Sequence, residues 1–395
     1  MGIGGRVAII GSGTIRFGEN FHQSLTDMLA EATTLAVADA GIELRDVQAA
    51  WLGTYLPMAW GYEGASGTSV AEALHLYPIP VTRVSNLCCT GMEAVRNAAF
   101  AVASGAFDVA LAVGVEKMRD VPSRGSLVAQ HVERGHPLLC KGRTAPGMFA
   151  LLATRYLDQH RLDEGTLDQV AVKNHEHGAL NPKAHFRKAI TAEAARKAAP
   201  VAEPLRLYDC CPTTDGAAAV ILARADRARD YVKDPVSIRG IGLAVANGYY
   251  GAQMKPDWDF LGFDATRAAA AAAYADAGVD DPASAFDVVE CHDCFTITEI
   301  LNYEDLGLAP RGRGWELVHD NVTKLGGRLP VNTGGGLKSC GHPIGASGVR
   351  MINQIADQVR GRAGKMQVPK ADLGLAHTLG GPGSVSTVFV LGPTR

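Results

Sequence analysis

The chain has 395 residues, 47% of them hydrophobic and 20% charged, and a formal net charge of -3. That length is more than one compact unit usually holds, so two similar-sized halves are expected. A balanced charge without a Lys/Arg block excludes the electrostatic footprint of a nucleic-acid or anionic-membrane binder, and points to small molecules or other proteins as partners.

The N-terminus MGIGGRVAIIGSG lacks the apolar core of a signal peptide, and Arg6 stands where a myristoylation signal needs Ser or Thr. No apolar run approaches the roughly 18 residues of a spanning helix. We read a cytoplasmic protein whose eight cysteines are free thiols rather than a disulfide framework. Some of them are expected to pack as small hydrophobes.

Short apolar runs alternate with Ala-rich helical patterns along the chain, which is the signature of an α/β layered fold. In chain order the predicted strands are RVAIIG, VQAAWLG, VTRVSN, VALAVG, AAAVILA, VSIRGIG, FDVVEC, LGLAHT and VSTVFVLG. Most are apolar throughout, as strands covered on both faces are. An internal echo organises them. A helical pattern ending ADAGI (Ala38 to Ile42) leads into the strand around Trp51, and one ending ADAGV (Ala275 to Val279) leads into the strand around Val288. After Gly91 a helix runs into DVALAVG, and after Gly348 a helix runs into DLGLAHT. The reading is two related α/β halves, residues 1–118 with 206–232 and residues 233–395. Residues 119–205, richer in His, Arg and Pro, read as an inserted loop domain over the surface, with helical stretches such as MFALLATRYLDQH.

The first motif met is GSGTIRFG, but the third glycine of a dinucleotide fingerprint would fall on Arg16, so it is read as a strand-to-loop turn. In SNLCCTGMEAV, Cys88 and Cys89 follow a strand and precede a helix. The unsatisfied N–H groups of a helix N-terminus favour a thiolate there, whereas the plain alternative is two packed core thiols. NTGGGLKSCGHPIGASGVRMI carries six glycines around His342, a candidate base in the place symmetric to Cys88. ECHDCFTITE has C-x-x-C spacing, but strand alternation sends Cys291 and Cys294 to opposite faces, so a metal site is set aside. His292 and Cys294 share a face instead, as a proton-handling pair would. The glycine turn of AHTLGGPGS offers backbone N–H groups to an oxyanion, or is a simple hairpin. NHEHGALNPKAHF, with His175, His177 and His185, lacks a convincing metal-ligand set and suits substrate contact or structure. Cys210 and Cys211 in YDCCPTTDG read as packed residues before a turn. The aromatics of GTYLPMAWGYEGASG fit either a substrate pocket or a dimer contact.

With these loops in this order, the chain resembles a thiolase along nearly its whole length. The form HDCF at His292 to Phe295, where other thiolases usually have Asn-Glu-Ala-Phe, resembles the sterol-carrier-protein type and its bacterial and archaeal relatives. The resemblance implies two related α/β halves packed as a five-layered αβαβα arrangement. It also implies acyl transfer in which Cys88 takes the acyl group, His342 activates it, and the N–H groups of Cys88 and Gly380 form one oxyanion hole. His342 with His292 would serve the other. Substrate or coenzyme A contacts fall by resemblance to His175, Asn181 and Pro182 in the covering loop and to Gly335 and Gly345 in the glycine-rich one.

No metal and no cofactor beyond the coenzyme A thioester substrate is implied. The implied partners are acyl-CoA and CoA, a second or further copies in a homodimer or tetramer, and the small zinc-containing CoA-binding subunit that some relatives have. Thr378 stands where many thiolases carry a second catalytic Cys, and a Thr hydroxyl is too weak an acid or base to substitute. In the sterol-carrier-protein type the Cys of HDCF looks like the replacement, so the resemblance makes Cys294 the candidate for proton transfer at the acyl α-carbon. No extension after Gly392 would hold a lipid-transfer domain, so a stand-alone unit is expected. The rival readings are a C-acyltransferase acting on a phenolic or other non-CoA molecule with companion subunits, a thiolase-fold aldolase, and a non-catalytic acyl-CoA-binding subunit.

Overall fold

The computed structural model describes residues 2–57, 66–122, 144–246 and 259–394. Its large sheet is built from the nine segments marked as strands by their apolarity. They are β1 (Val7–Thr14), β2 (Ala49–Gly53), β3 (Val81–Val84) and β4 (Val109–Glu116), then, after a separate ribbon of β5 (Pro200–Ala202) and β6 (Leu205–Arg206), β7 (Gly216–Arg224), β8 (Val236–Val245), β9 (Val288–Glu290), β10 (Gly374–Gly380) and β11 (Val385–Pro393). The order across the sheet is β3-β2-β4-β7-β1-β8-β11-β10-β9. β3 is the least buried of them: it is an edge strand, and Thr82 and Arg83 are exposed.

The order contains one pattern twice. β2 runs parallel to β4, β4 antiparallel to β7, and β7 antiparallel to β1. In the same way β9 runs parallel to β10, β10 antiparallel to β11, and β11 antiparallel to β8. Even β3, the parallel neighbour of β2, has a counterpart in the parallel bridge of Val289 to Val331. Among the described residues, the strands of the two units pair at Ala8 with Ser237 and Ile9 with Val236.

The ADAG echo is a repeated helix stop. Helix α1 (Leu25–Ala40) starts on a Ser24 capping box and ends at Gly41 with φ 63°, and the helix equivalent to it, Asp264–Ala277, ends at Gly278 with φ 69°. Both glycines take the left-handed conformation that closes helices at low cost. The glycines of GSG serve packing rather than a nucleotide. A Cβ on Gly11 would stand 2.2 Å from the carbonyl oxygen of Ala36, so their absence lets α1 lie directly on β1.

Further helices are α2 (Gly67–Leu74), α3 (Thr90–Ala103), α4 (Ala145–His160), α5 (Gly165–Gly178), α6 (the Asp264–Ala277 helix), α7 (Thr296–Asp305), α8 (Gly336–Cys340) and α9 (Ile344–Val359). α1 covers β1 and β7 on one outer face, and α6 covers β8 and β11 on the other. α9 lies between the two strand units, touching β4 and β7 on one side and β9, β10 and β11 on the other, with α3 beside it. This is the five-layered αβαβα arrangement. Because α9 sits in the middle layer, fourteen of its sixteen residues are buried. Fully buried aliphatic side chains such as Val349, Ile352 and Ile355 each contribute roughly 1.5–3 kcal/mol.

Glycines decide where α3 and α9 cross. A Cβ on Gly91 would lie 2.5 Å from the carbonyl oxygen of Gly345, and one on Gly348 would lie 2.7 Å from the backbone nitrogen of Met92. The helices therefore touch backbone to backbone, which brings their N-termini and the loops before them together. Among the described residues no helix is long and apolar enough to cross a membrane.

Candidate active site

The thiol comes from the loop before α3. Leu87 has φ 49°, a left-handed conformation that costs a leucine on the order of 1 kcal/mol or more. The turn is held by the Asn86 N–H donating to Thr90 Oγ1 at 2.8 Å and by the Cys89 N–H donating to the Asn86 carbonyl at 3.0 Å. The result separates the two neighbouring cysteines. Cys88 is partly exposed to a cavity, whereas Cys89 is fully buried and its thiol donates to the Thr378 and Val385 carbonyls at 3.4 and 3.5 Å.

The imidazoles come from the other unit. Ser347 Oγ donates its single proton to the Pro343 carbonyl at 2.9 Å, so at its 2.8 Å contact with His342 Nδ1 it must accept. That places the ring proton on Nδ1 and leaves a lone pair on Nε2, which has no hydrogen-bond partner. His292 follows β9 and sets its ring edge-on to His342, with centroids 5.2 Å apart. Its carbonyl accepts from Asn302 Nδ2 at 2.7 Å and its N–H reaches His377 Nδ1 at 3.5 Å, while its own Nδ1 is unpartnered. The Cys88 thiol and one ring nitrogen of each histidine lie within 4.8 Å of one another.

A buried polar network holds these loops. Asp293 accepts from the N–H groups of Leu337 and Lys338 at 2.6 and 3.3 Å and from Asn174 Nδ2 at 2.8 Å. Glu299 pairs with Lys173 at 2.7 Å and accepts from Asn174 and Asn332 at 2.6 and 2.8 Å. The glycine run makes room for this network: a Cβ on Gly336 would stand 2.1 Å from an Asp293 oxygen.

The cavity in front of the thiol has a volume of about 590 Å³, and Cys88, His292, Cys294 and His342 all line it together with apolar residues such as Phe149 and Phe295. The C-x-x-C pair splits, since Cys294 faces the cavity with its thiol 3.7 Å from Thr298 Oγ1, while Cys291 turns to Asn332. Cys210 and Cys211 also line the cavity, contrary to the expectation of packed residues. Their segment runs alongside the HDCF loop, with the Cys211 N–H donating to the Cys294 carbonyl at 2.9 Å. The closing glycine turn stands at the thiol, with Gly380 as the expected oxyanion donor. The Gly381 N–H reaches the Cys88 thiol, and Gly380 ends β10 beside Leu87.

None of the five expected coenzyme A contacts lines this cavity. His175 packs between Phe186 and Tyr208. Asn181 bonds the Gly334 carbonyl at 2.9 Å and, with Pro182, lines a separate cavity. Gly335 packs against Gly178, and Gly345 sits where α9 meets the first unit, its N–H on Glu116 at 2.9 Å. From the same covering loop it is His185 and Phe186 that reach the thiol cavity, as does Tyr55 from the loop after β2. Residues 58–65 of that loop and 123–143 of the inserted segment lie outside the described residues. His377, which sequence reasoning passed over inside AHTLGG, is buried and backs His292; only its type could have flagged it.

Burial dominates the thiol's proton affinity. It pushes Cys88 up to about 12, with Cys89 and Glu116 adding to it and the Gly381 N–H opposing. Burial, and then the Arg350 charge, bring His342 down to about 3, and burial with the neighbouring His342 and His377 holds His292 well below its ordinary value. The resting site is thus a neutral thiol facing neutral imidazoles, able to pass one proton as the sulfur attacks. A Cys with two His at this spacing is also a donor set that a zinc ion accepts.

The family model of the thiolase N-terminal domain matches residues 7–226, and that of the thiolase C-terminal domain-like family matches residues 246–393. The chain is 38% identical over 384 residues to the acetyl-CoA acetyltransferase of Methanothermobacter thermautotrophicus, covering 97% of this chain and 98% of that protein. It is 32% identical over 404 residues to sterol carrier protein 2 of Oryctolagus cuniculus, covering 98% of this chain and 72% of that one. Among solved structures, the Ltp2-ChsH2(DUF35) aldolase matches with a TM-score of 0.85 at 26% identity over the whole of both chains.

Proposed function

Because this chain belongs to the thiolase family, we propose that it is an acyl-CoA C-acyltransferase working by ping-pong transfer through a thioester on Cys88. The observation that carries the reading is the Cys88, His292 and His342 cluster at one cavity, with the unpartnered Nε2 of His342 available to a thiol that burial keeps protonated. In the first half-reaction His342 takes the thiol proton, Sγ attacks the thioester carbonyl, and CoA leaves as its thiol with that proton. The N–H groups of Cys88 and of the Gly380–Gly381 turn stabilise the oxyanion. When a 3-oxoacyl-CoA is the donor instead, Sγ attacks its C3 carbonyl, the C2–C3 bond breaks, and His342, still carrying the thiol proton, serves with His292 the thioester oxygen of the leaving enolate.

In the second half-reaction a carbon nucleophile accepts the acyl group when CoA was the leaving group, and CoA accepts it when a 3-oxoacyl-CoA was cleaved. Cleavage of a 3-oxoacyl-CoA leaves an enolate that needs a proton, and Cys294, held as a thiol by burial, supplies it. Acyl-CoA and CoA are accordingly the small-molecule partners we assign.

The test is intact-protein mass after brief exposure to acetyl-CoA and, separately, acetoacetyl-CoA, with peptide mapping and a Cys88→Ala control. An acetyl adduct on Cys88 that free CoA discharges is the expected result. Absence of an adduct from both donors, and from longer acyl-CoAs, overturns the reading. The likeness to an aldolase, together with Thr378 in place of a second Cys, favours one alternative, C–C cleavage of a 3-hydroxyacyl-CoA without an acyl-enzyme. Release of a carbonyl product by the Cys88→Ala variant, alone or with a small zinc-containing CoA-binding subunit, would decide for it.

A further inference from the structure

One face of α9 presents Arg350, Asn353, Gln354 and Asp357 at helical spacing to a second cavity of about 770 Å³, which shares no lining residue with the thiol cavity. Its other walls are the 179–183 loop with Arg187 and the 362–366 turn. Deep in it, Arg350 is 3% exposed and bonds Glu290 through Nη1 at 2.5 Å, while its Nε and Nη2 have no partner. These two N–H groups form the side-on edge of the guanidinium, the fork that donates to two oxygens of one oxyanion. Gln354, 7% exposed, adds a third unpartnered donor in Nε2. Buried donors left unpaired are costly, so three around one cavity call for an acceptor.

The charge balance of the walls agrees. Lys183, Arg187 and Lys365 are exposed at this cavity, and among the described residues none of the three has an ion-pair partner. The one carboxylate on the wall, Asp357, is already paired with Arg362 at 3.0 Å. Asn353 Oδ1 is an unpartnered acceptor, which suits an anion that also carries an O–H, as hydrogen phosphate or the monoanion of a phosphate monoester does and a carboxylate does not.

We propose that this second cavity binds a phosphate group through Arg350 and Gln354, with Lys183, Arg187 and Lys365 neutralising it, the phosphate being free or borne on a nucleotide-sized molecule. The cavity volume exceeds what one phosphate fills. An occupant also touches the chain that carries the base, since Cys340, two residues before His342, lines the same cavity.

The test is titration calorimetry of the full chain with inorganic phosphate and with a nucleoside diphosphate, against chloride at equal ionic strength, on the wild type and on the Arg187→Glu, Lys365→Glu double variant. Both changes are at exposed positions, and melting without ligand checks that the variant folds. The expected result is saturable phosphate binding weakened at least about tenfold in the variant. Tighter binding of the diphosphate, equally lost in the variant, would identify the borne form, and binding of inorganic phosphate alone the free form. No heat from either at millimolar concentration, or binding that the variant leaves undiminished, overturns the proposal. Because Cys88 acetylation is measured separately, failure here leaves the acyl-transfer reading where it stands.

Discussion

The loop before α3 and the loop before α9 occupy the same place in the repeat, yet they hold their reactive groups by different means. Cys88 is set by backbone: a left-handed Leu87, a Thr90 cap, and the apolar packing of Cys89 beneath β10 and β11. His342 is set by side chains: Ser347 fixes its tautomer, and the Asp293, Asn174, Glu299 and Lys173 network fixes the glycine loop behind it. The difference follows from the chemistry. A nucleophilic sulfur needs only a position and an open face, whereas a base must also have its proton on the correct nitrogen, and only hydrogen bonds can specify that.

The comparison can be broken hardest at the base. His342→Ala should slow acetylation of Cys88 by about 10²- to 10⁴-fold, read by stopped mass spectrometry. In that variant the rate of iodoacetamide alkylation should climb with pH without levelling before the upper limit of the assay, because burial holds the thiol near 12 and the thiolate fraction keeps growing. In the wild type the acid limb of acetylation belongs to His342, whose value is lowered to about 3, so protonation should not remove the base between pH 8 and 5. A steep fall between pH 7 and 6 that disappears in the variant would contradict this.

Next comes the network. Glu299→Gln leaves Lys173 as a buried cation without its counter-ion and should cost about 3–5 kcal/mol by denaturant unfolding. On the thiol side, Cys89→Ala removes only a packed sulfur and two weak hydrogen bonds and should cost about 1–2 kcal/mol, with Cys88 still acetylated. Equal costs for the two would remove the distinction between a side-chain-held and a packing-held loop. The smallest effect is assigned to Ser347→Ala, which frees the tautomer at the price of about 1 kcal/mol and should lower the acetylation rate by about two- to tenfold with the melting temperature little changed.

The strands were legible because burial on both faces demands unbroken apolar runs, and the repeat was legible because Gly41 and Gly278 must each stop a helix in the left-handed region. The meeting of Cys88 with His342 was legible only through the resemblance, since the contact spans most of the chain. Other features depend on tertiary pairing and leave no local signal. Cys210 and Cys211 reach the cavity because their segment pairs with the HDCF loop. His175 Nδ1 and Asn181 Nδ2 bond the Lys188 and Gly334 carbonyls, pairings across the fold that the local sequence does not announce. The glycines that suggested close ligand approach mostly make room for the protein itself, as Gly336 does for Asp293. The protonated resting thiol was hidden for a related reason: a helix N-terminus can be read from sequence, whereas the depth of burial cannot.

The backbone contact of Gly91 with Gly345 and Gly348 has a consequence for any assay of this protein. Sulfur and imidazole belong to opposite halves of the duplication, so neither half alone is reactive, and the catalytic signal counts only molecules in which the two are seated against each other. Turnover is therefore a gauge of docking between the halves. On warming, it should vanish with the separation of α3 from α9, whether or not either sheet has yet lost its own strands.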